Sequence, residues 1–115
     1  MSKRNDQEYL GDIEEAIKRI DFYIGQIQRE DFLHDTKTQD AVVRNFEIIG
    51  EAVKGFSKEF KQKHKAVRWS SWAKVRDKLI HHYFGVNLDI VWDIIQESLP
   101  ELQSQLNQIK RRGSL

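Results

Sequence analysis

At 115 residues, 39% apolar and 32% charged, the chain has the size and composition of one domain able to bury roughly two thirds of its unfolded surface. The absence of cysteine excludes disulfides and thiolate metal sites, and no apolar run approaches the roughly 20 residues that cross a bilayer. The formal charge of +1 hides a segregation: residues 1–53 carry 12 Asp/Glu against 7 Lys/Arg, residues 54–78 carry 9 Lys/Arg against 2 acids, and the remainder is close to balance.

The start, "MSKRNDQEYL", lacks the apolar core of a secretory signal. A single cytoplasmic domain spanning 1–115, with a frayed tail over 110–115, is the expectation. Tyr9, Leu10, Ile13, Ala16, Ile17, Ile20, Ile24 and Ile27 recur every three or four positions, which predicts an amphipathic helix from about 6 to 29. "REDFLHDTKT" follows as a polar connector rich in caps. Val42, Phe46, Ile49, Val53 and Phe56 form a second stripe, predicting a helix over about 38–56. Gly50 inside it costs about 1 kcal/mol relative to alanine, a cost that close approach by another helix explains. Arg44, Glu47 and Glu51 share the opposite face as a solvated ion-pair row, or as support for a site.

"SKEFKQKHKAVRWS" reads as a short helical turn and a connector. A third main helix begins at Ser70 or Ser71, buries Trp72, Val75, Leu79 and Ile80, and ends at Gly85 in the left-handed conformation that glycine adopts without strain. Asn87 caps the last helix, whose apolar face runs through Ile90, Val91, Ile94, Ile95, Leu99, Leu102, Leu106 and Ile109. The stripe keeps its phase across Pro100, so a kink is expected there and not a stop. No strand-like alternation competes. The predicted fold class is all-α, an antiparallel four-helix bundle with one additional short helix.

The basic block 54–78 runs into "WAKVRDKLIHHYFGV", where Arg76, His81, His82 and Tyr83 fall within eight positions. On an ideal helix Tyr83 nearly eclipses Arg76, whereas His81 lies about 140° away. Either the helix loosens near Gly85, or a second copy of the chain completes the site. Cleaving RNA without a metal needs a base for the 2′-hydroxyl proton, an acid for the leaving 5′ oxygen and a cation for the charge on phosphorus. Histidine, with an ordinary pKa of about 6.5, suits both proton transfers, and the arginine fork suits the third task. A twofold dimer would place two of each in one cleft. A plainer account serves the same residues. Histidines favour the carbonyl end of a helix, Tyr83 and Phe84 suit a core or interface, and Arg76 can pair with Asp77.

"RDKLIHHY" carries R-x4-H-x-Y at Arg76, His81 and Tyr83, and with "AVVRNFEIIGEAVK" before it and "GVNLDIVWDIIQESLPEL" after it the chain resembles HepT-type toxins of the HEPN superfamily. That resemblance implies an HEPN-like helical fold and a homodimeric, metal-independent endoribonuclease without a cofactor. It further implies a type VII-like toxin–antitoxin pair, in which a minimal nucleotidyltransferase silences the toxin by AMP transfer to the motif tyrosine. Carried over, Arg76 and His81 are catalytic, Tyr83 is the AMP acceptor and Asp77 has a supporting role. His82 fills a variable position. Lys65, Arg68, Lys74 and Lys78 are candidate RNA contacts on charge and position alone. The alternative is a non-catalytic helical dimer that docks the transferase. A metal-binding bundle lacks its ligand spacing, since His34, His64, His81 and His82 form no i, i+4 pair and no Glu-x-x-His occurs near them.

Overall fold

A computed structural model describes residues 4–80 and 85–113 and is all-helical apart from one isolated bridge. The first helix, α1 (Asp6–Ile24), starts with a capping box in which the Glu8 N–H donates to Asn5 Oδ1 at 2.8 Å and the Asn5 N–H to Glu8 Oε1 at 3.0 Å. Its stripe is buried as predicted, from Leu10 to Ile24. The helix stops earlier than the periodicity suggests. Gly25 takes φ 52°, and Ile27 then packs on the core from the connector.

That connector is itself ordered. Residues Arg29–Leu33 form a short helix, α2, which buries Phe32 completely against Trp92, ring centroids 5.4 Å apart, while Arg29 pairs with Asp89 across to the last helical leg. Reading "REDFLHDTKT" as a polar connector overlooked this anchor, because one apolar side chain among charged ones has no period. Helix α3 (Thr36–Gly55) begins two residues before the predicted start, where Asp35 accepts hydrogen bonds from the Thr38 N–H at 3.1 Å and the Thr38 hydroxyl at 2.6 Å. A Cβ on Gly50 would stand 3.0 Å from the Trp72 carbonyl oxygen, so the glycine serves the close approach that the sequence implies.

The basic connector contains α4 (Lys58–Lys63), capped by Ser57, whose hydroxyl and N–H both donate to Asp6 and tie the start of α1 to the end of α3. Tyr9 against Phe56 makes the same junction, and Lys110 pairs with Glu14 at 2.8 Å, so α1 runs antiparallel to both α3 and the last leg. Phe56, Phe60 and Trp69 stack in one aromatic group, with His64 4.8 Å from Phe60. His64 is 6% exposed, and its Nε2 has no hydrogen-bond partner among the described residues.

Burial, and secondarily the charges of Lys63 and Arg112, hold the His64 imidazole below its ordinary pKa. The unfolded chain therefore binds more protons than the fold just below about pH 6.5, and stability falls as pH drops from there toward the lowered native value. Denaturant midpoints should decline on going from about pH 7.5 to about pH 5, and His64→Phe should flatten that decline. Identical pH dependence in the two proteins would remove His64 as the cause.

The third leg is broken into α5 (Trp69–Ala73) and α6 (Val75–Leu79), and the fourth is α7 (Leu88–Asp93), a π-helical turn (Ile94–Ser98) and α8 (Leu99–Arg111). Asn87 caps α7 as predicted, accepting from the Ile90 N–H at 3.2 Å. The irregularity expected at Pro100 sits one turn before it. There the Leu99 N–H donates to the Ile94 carbonyl, five residues back, a widening that suits a following residue with no N–H and a bulky ring. Val91, Ile94, Ile95, Leu99, Leu102, Leu106 and Ile109 are all buried, and α8 continues through Lys110 and Arg111, into the tail expected to fray. The legs enclose a single apolar core, and α2 and α4 are additions to the bundle where one short helix is predicted.

Candidate functional site

The motif does not lie on one helix. Lys74, at φ −106° and ψ 15°, separates α5 from α6, and α6 buries Val75 and Leu79 while leaving Arg76, Asp77 and Lys78 exposed. At Ile80 the backbone turns extended, with φ −100° and ψ 126°. Ile80 pairs with Val86 in an antiparallel bridge, and the Asn87 N–H donates to the Leu79 carbonyl at 2.7 Å. That carbonyl is one a continuing helix would use itself, so the long-range bond closes α6. Gly85 has the expected positive φ, 80°, and stands next to the bridge residue Val86, whereas α6 has already ended at Leu79. Ile80, predicted to be buried, is 37% exposed.

His81, His82, Tyr83 and Phe84 lie outside the described residues. The helix carrying Arg76 ends at Leu79, so ideal helical angles no longer relate Arg76 to positions 81 and 83. A shared two-chain site therefore loses its support from helical directions. What the fold provides is a segment joined at its ends: Arg76 sits one turn before the bridge, and positions 81–84 fall in sequence between its two residues, Ile80 and Val86.

The basic candidates separate. Arg68 and Lys78 line a surface cavity of about 160 Å³ with Ser71, Ser98 and Glu101, beside the buried Trp72. Lys65 and Lys74 are exposed and do not line it. The π-helical turn contributes Ser98 and Ile94 to the cavity wall, a common placement for such turns. Among the described residues no carboxylate lies within 4.0 Å of Arg68, Lys78 or Arg76, which leaves all three charges available to an anion; in particular Arg76 does not pair with Asp77, which is itself exposed. Arg76 and Lys78 are two residues apart, hence roughly 160° apart around α6. The cavity therefore borders the flank of α6 away from Arg76.

The row on α3, read as a solvated ion-pair row or as support for a site, divides. Glu51 pairs with Lys54 at 3.4 Å, whereas Arg44 and Glu47 line a concavity of about 230 Å³ with Val86 and Leu88, next to the bridge. Their spacing in the sequence was visible; their place in one concavity with Val86 and Leu88 required the tertiary structure.

A family model described as Ribonuclease HepT-like matches residues 13–109. A protein of Thermococcus cleftensis named "Probable ribonuclease HepT" is 44% identical over 109 residues, covering 95% of this chain and 99% of that one. A protein of Methanocaldococcus jannaschii with an RNase name is 42% identical over 109 residues, covering 95% and 90% of the two chains. Another, from Caldanaerobacter subterraneus subsp. tengcongensis and also named as an RNase, is 44% identical over 103 residues, covering 87% and 92%. No solved structure gave a significant match. Among the described residues no helix is long and apolar enough to cross a membrane.

Proposed function

This chain belongs to the HepT-like ribonuclease family, and from that premise we propose that it is a metal-independent endoribonuclease and the toxin of a toxin–antitoxin pair. The observation that carries the reading is Arg76: an exposed guanidinium with no carboxylate partner among the described residues, one turn before the bridge that brackets the rest of the motif. Arg76 binds the scissile phosphate through two oxygens and stabilises the charge that builds there during in-line attack. His81 takes the proton of the 2′-hydroxyl as its oxygen bonds to phosphorus. A protonated histidine delivers a proton to the departing 5′ oxygen, leaving a 2′,3′-cyclic phosphate on one product and a hydroxyl on the other.

One motif histidine per chain for two proton transfers favours a homodimer with paired motifs in one cleft, a reading that rests on chemistry and on the family. Asp77, exposed beside Arg76, supports the site by its charge. Lys65, Arg68, Lys74 and Lys78 hold the RNA backbone, with Arg68 and Lys78 acting together in their cavity. The partner is a minimal nucleotidyltransferase acting on Tyr83, and both work in the cytoplasm, where their RNA is found.

The test is cleavage of single-stranded RNA by the purified chain, with and without EDTA. Products should carry cyclic phosphate ends and form at the same rate in both. Cleavage abolished by chelation would sink the metal-independent mechanism. A chain that binds the transferase yet cuts no RNA would be a docking module instead.

A further inference from the structure

We propose that the concavity between α3 and the chain leaving the bridge is a nucleobase subsite for guanine, in which Glu47 accepts from the N1–H and N2 amino group and Arg44 donates to O6 and N7. The inference rests on the ribonuclease reading, because the base belongs to the RNA held at Arg76.

Position is the first argument. Val86 lines the concavity and is also the residue paired with Ile80, so the pocket adjoins the segment bearing His81 and Tyr83. A nucleotide neighbouring the scissile bond must lodge its base close to that segment. The second argument is shape and polarity. Val43, Val86 and Leu88 present apolar surface, with Val86 37% exposed, and the space of about 230 Å³ admits a flat purine ring. Exposed apolar side chains beside charged ones suit a base, whose faces are apolar and whose edges are polar.

Three charged groups line the concavity, Asp40, Arg44 and Glu47, and the arginine is committed to neither carboxylate. Elsewhere on these helices pairs at the same spacings close, Lys54 to Glu51 at 3.4 Å and Arg19 to Glu15 at 3.4 Å. Arg44 comes within 4.0 Å of neither Asp40 nor Glu47, and the only ion pairs among the described residues lie elsewhere. A carboxylate needs donors and a guanidinium needs acceptors. Guanine offers two donors on its Watson–Crick edge and two acceptors on its major-groove edge. Adenine has an amino donor but no ring N–H beside it and no O6 acceptor, cytosine offers its amino group without the N7 acceptor, and uracil has a single ring N–H between carbonyls. Guanine alone satisfies both residues.

Single-stranded RNAs that differ only in the nucleotides flanking one scissile bond give the readout. Cleavage beside G should exceed cleavage beside A by about tenfold to a hundredfold, the discrimination of one good bidentate pair. Glu47→Gln, which keeps size and helical propensity, should bring the G-to-A ratio close to one. In parallel, 5′-GMP, 5′-AMP, 5′-CMP and 5′-UMP are titrated into the Arg76→Ala protein while the Val43, Val86 and Leu88 methyl resonances are followed by NMR. Shifts induced chiefly by GMP support the subsite even where no RNA is cut, an outcome that would overturn the ribonuclease reading alone. Cleavage without base preference, together with methyls indifferent to GMP, overturns the subsite and leaves that reading intact. A Glu47→Gln protein slowed equally on all sequences would place Glu47 in the chemistry and overturn its role in reading the base.

Discussion

Arg76→Ala should lower kcat/KM for RNA cleavage by about two to three orders of magnitude, the usual loss when a donor aimed at developing charge is removed. The fold should be untouched, because the side chain is exposed, fills no core space and has no carboxylate partner among the described residues. Arg76→Lys separates charge from geometry. Lysine keeps the positive charge but not the fork, so partial recovery is expected and full recovery is not. His81→Ala should cost about two to four orders of magnitude, with the loss moving along the pH profile in His81→Gln if a proton transfer is what disappears. Initial rates on end-labelled RNA, with far-ultraviolet circular dichroism as the control for folding, decide the matter. Arg76→Ala cleaving within twofold of the unaltered chain, with helical content retained, would remove Arg76 from the chemistry.

AMP transfer to Tyr83 should silence the chain as completely as loss of Arg76. The tyrosine oxygen attacks the α-phosphorus of ATP, an oxygen–phosphorus bond forms, pyrophosphate leaves and the phenolic proton passes to a base on the transferase. The product sets a bulky anion in the bracketed segment that follows Arg76. On the proposed function its bulk would oppose RNA entry, and its phosphate would compete with substrate phosphate for Arg76. Incubation with a minimal nucleotidyltransferase of the proposed partner class and ATP should add the mass of AMP to the peptide containing Tyr83, with loss of cleavage in step. Tyr83→Phe should gain no mass and keep its activity. Full silencing with Tyr83 unmodified would mean that the partner inhibits by binding alone.

The motif itself was legible, since Arg76, His81 and Tyr83 stand at a defined spacing within long matching flanks. How it is mounted was not. Trp72, Val75 and Leu79 fall on one face whether the leg is continuous or broken at Lys74, because both short helices keep the same phase. Periodicity records which side is buried and is silent about where the backbone bonds go. Phe32 was missed for the complementary reason: a single anchor in a five-residue helix has no period to detect.

By itself the sequence determined the buried stripes of α1, α3 and the last leg, the Asn87 cap, the close approach at Gly50 and the family to which the chain belongs. These follow from local spacing, from cap chemistry and from the absence of a side chain. The tertiary structure alone decided that α6 ends at Leu79, that Ile80 meets Val86, and that Arg44 and Glu47 share a concavity with Val86 and Leu88. Each of those depends on contacts between separate elements, which meet at one carbonyl or one surface. The Asn87 N–H, eight residues on, takes the Leu79 oxygen where the fourth leg begins, an outcome that side-chain periodicity does not encode.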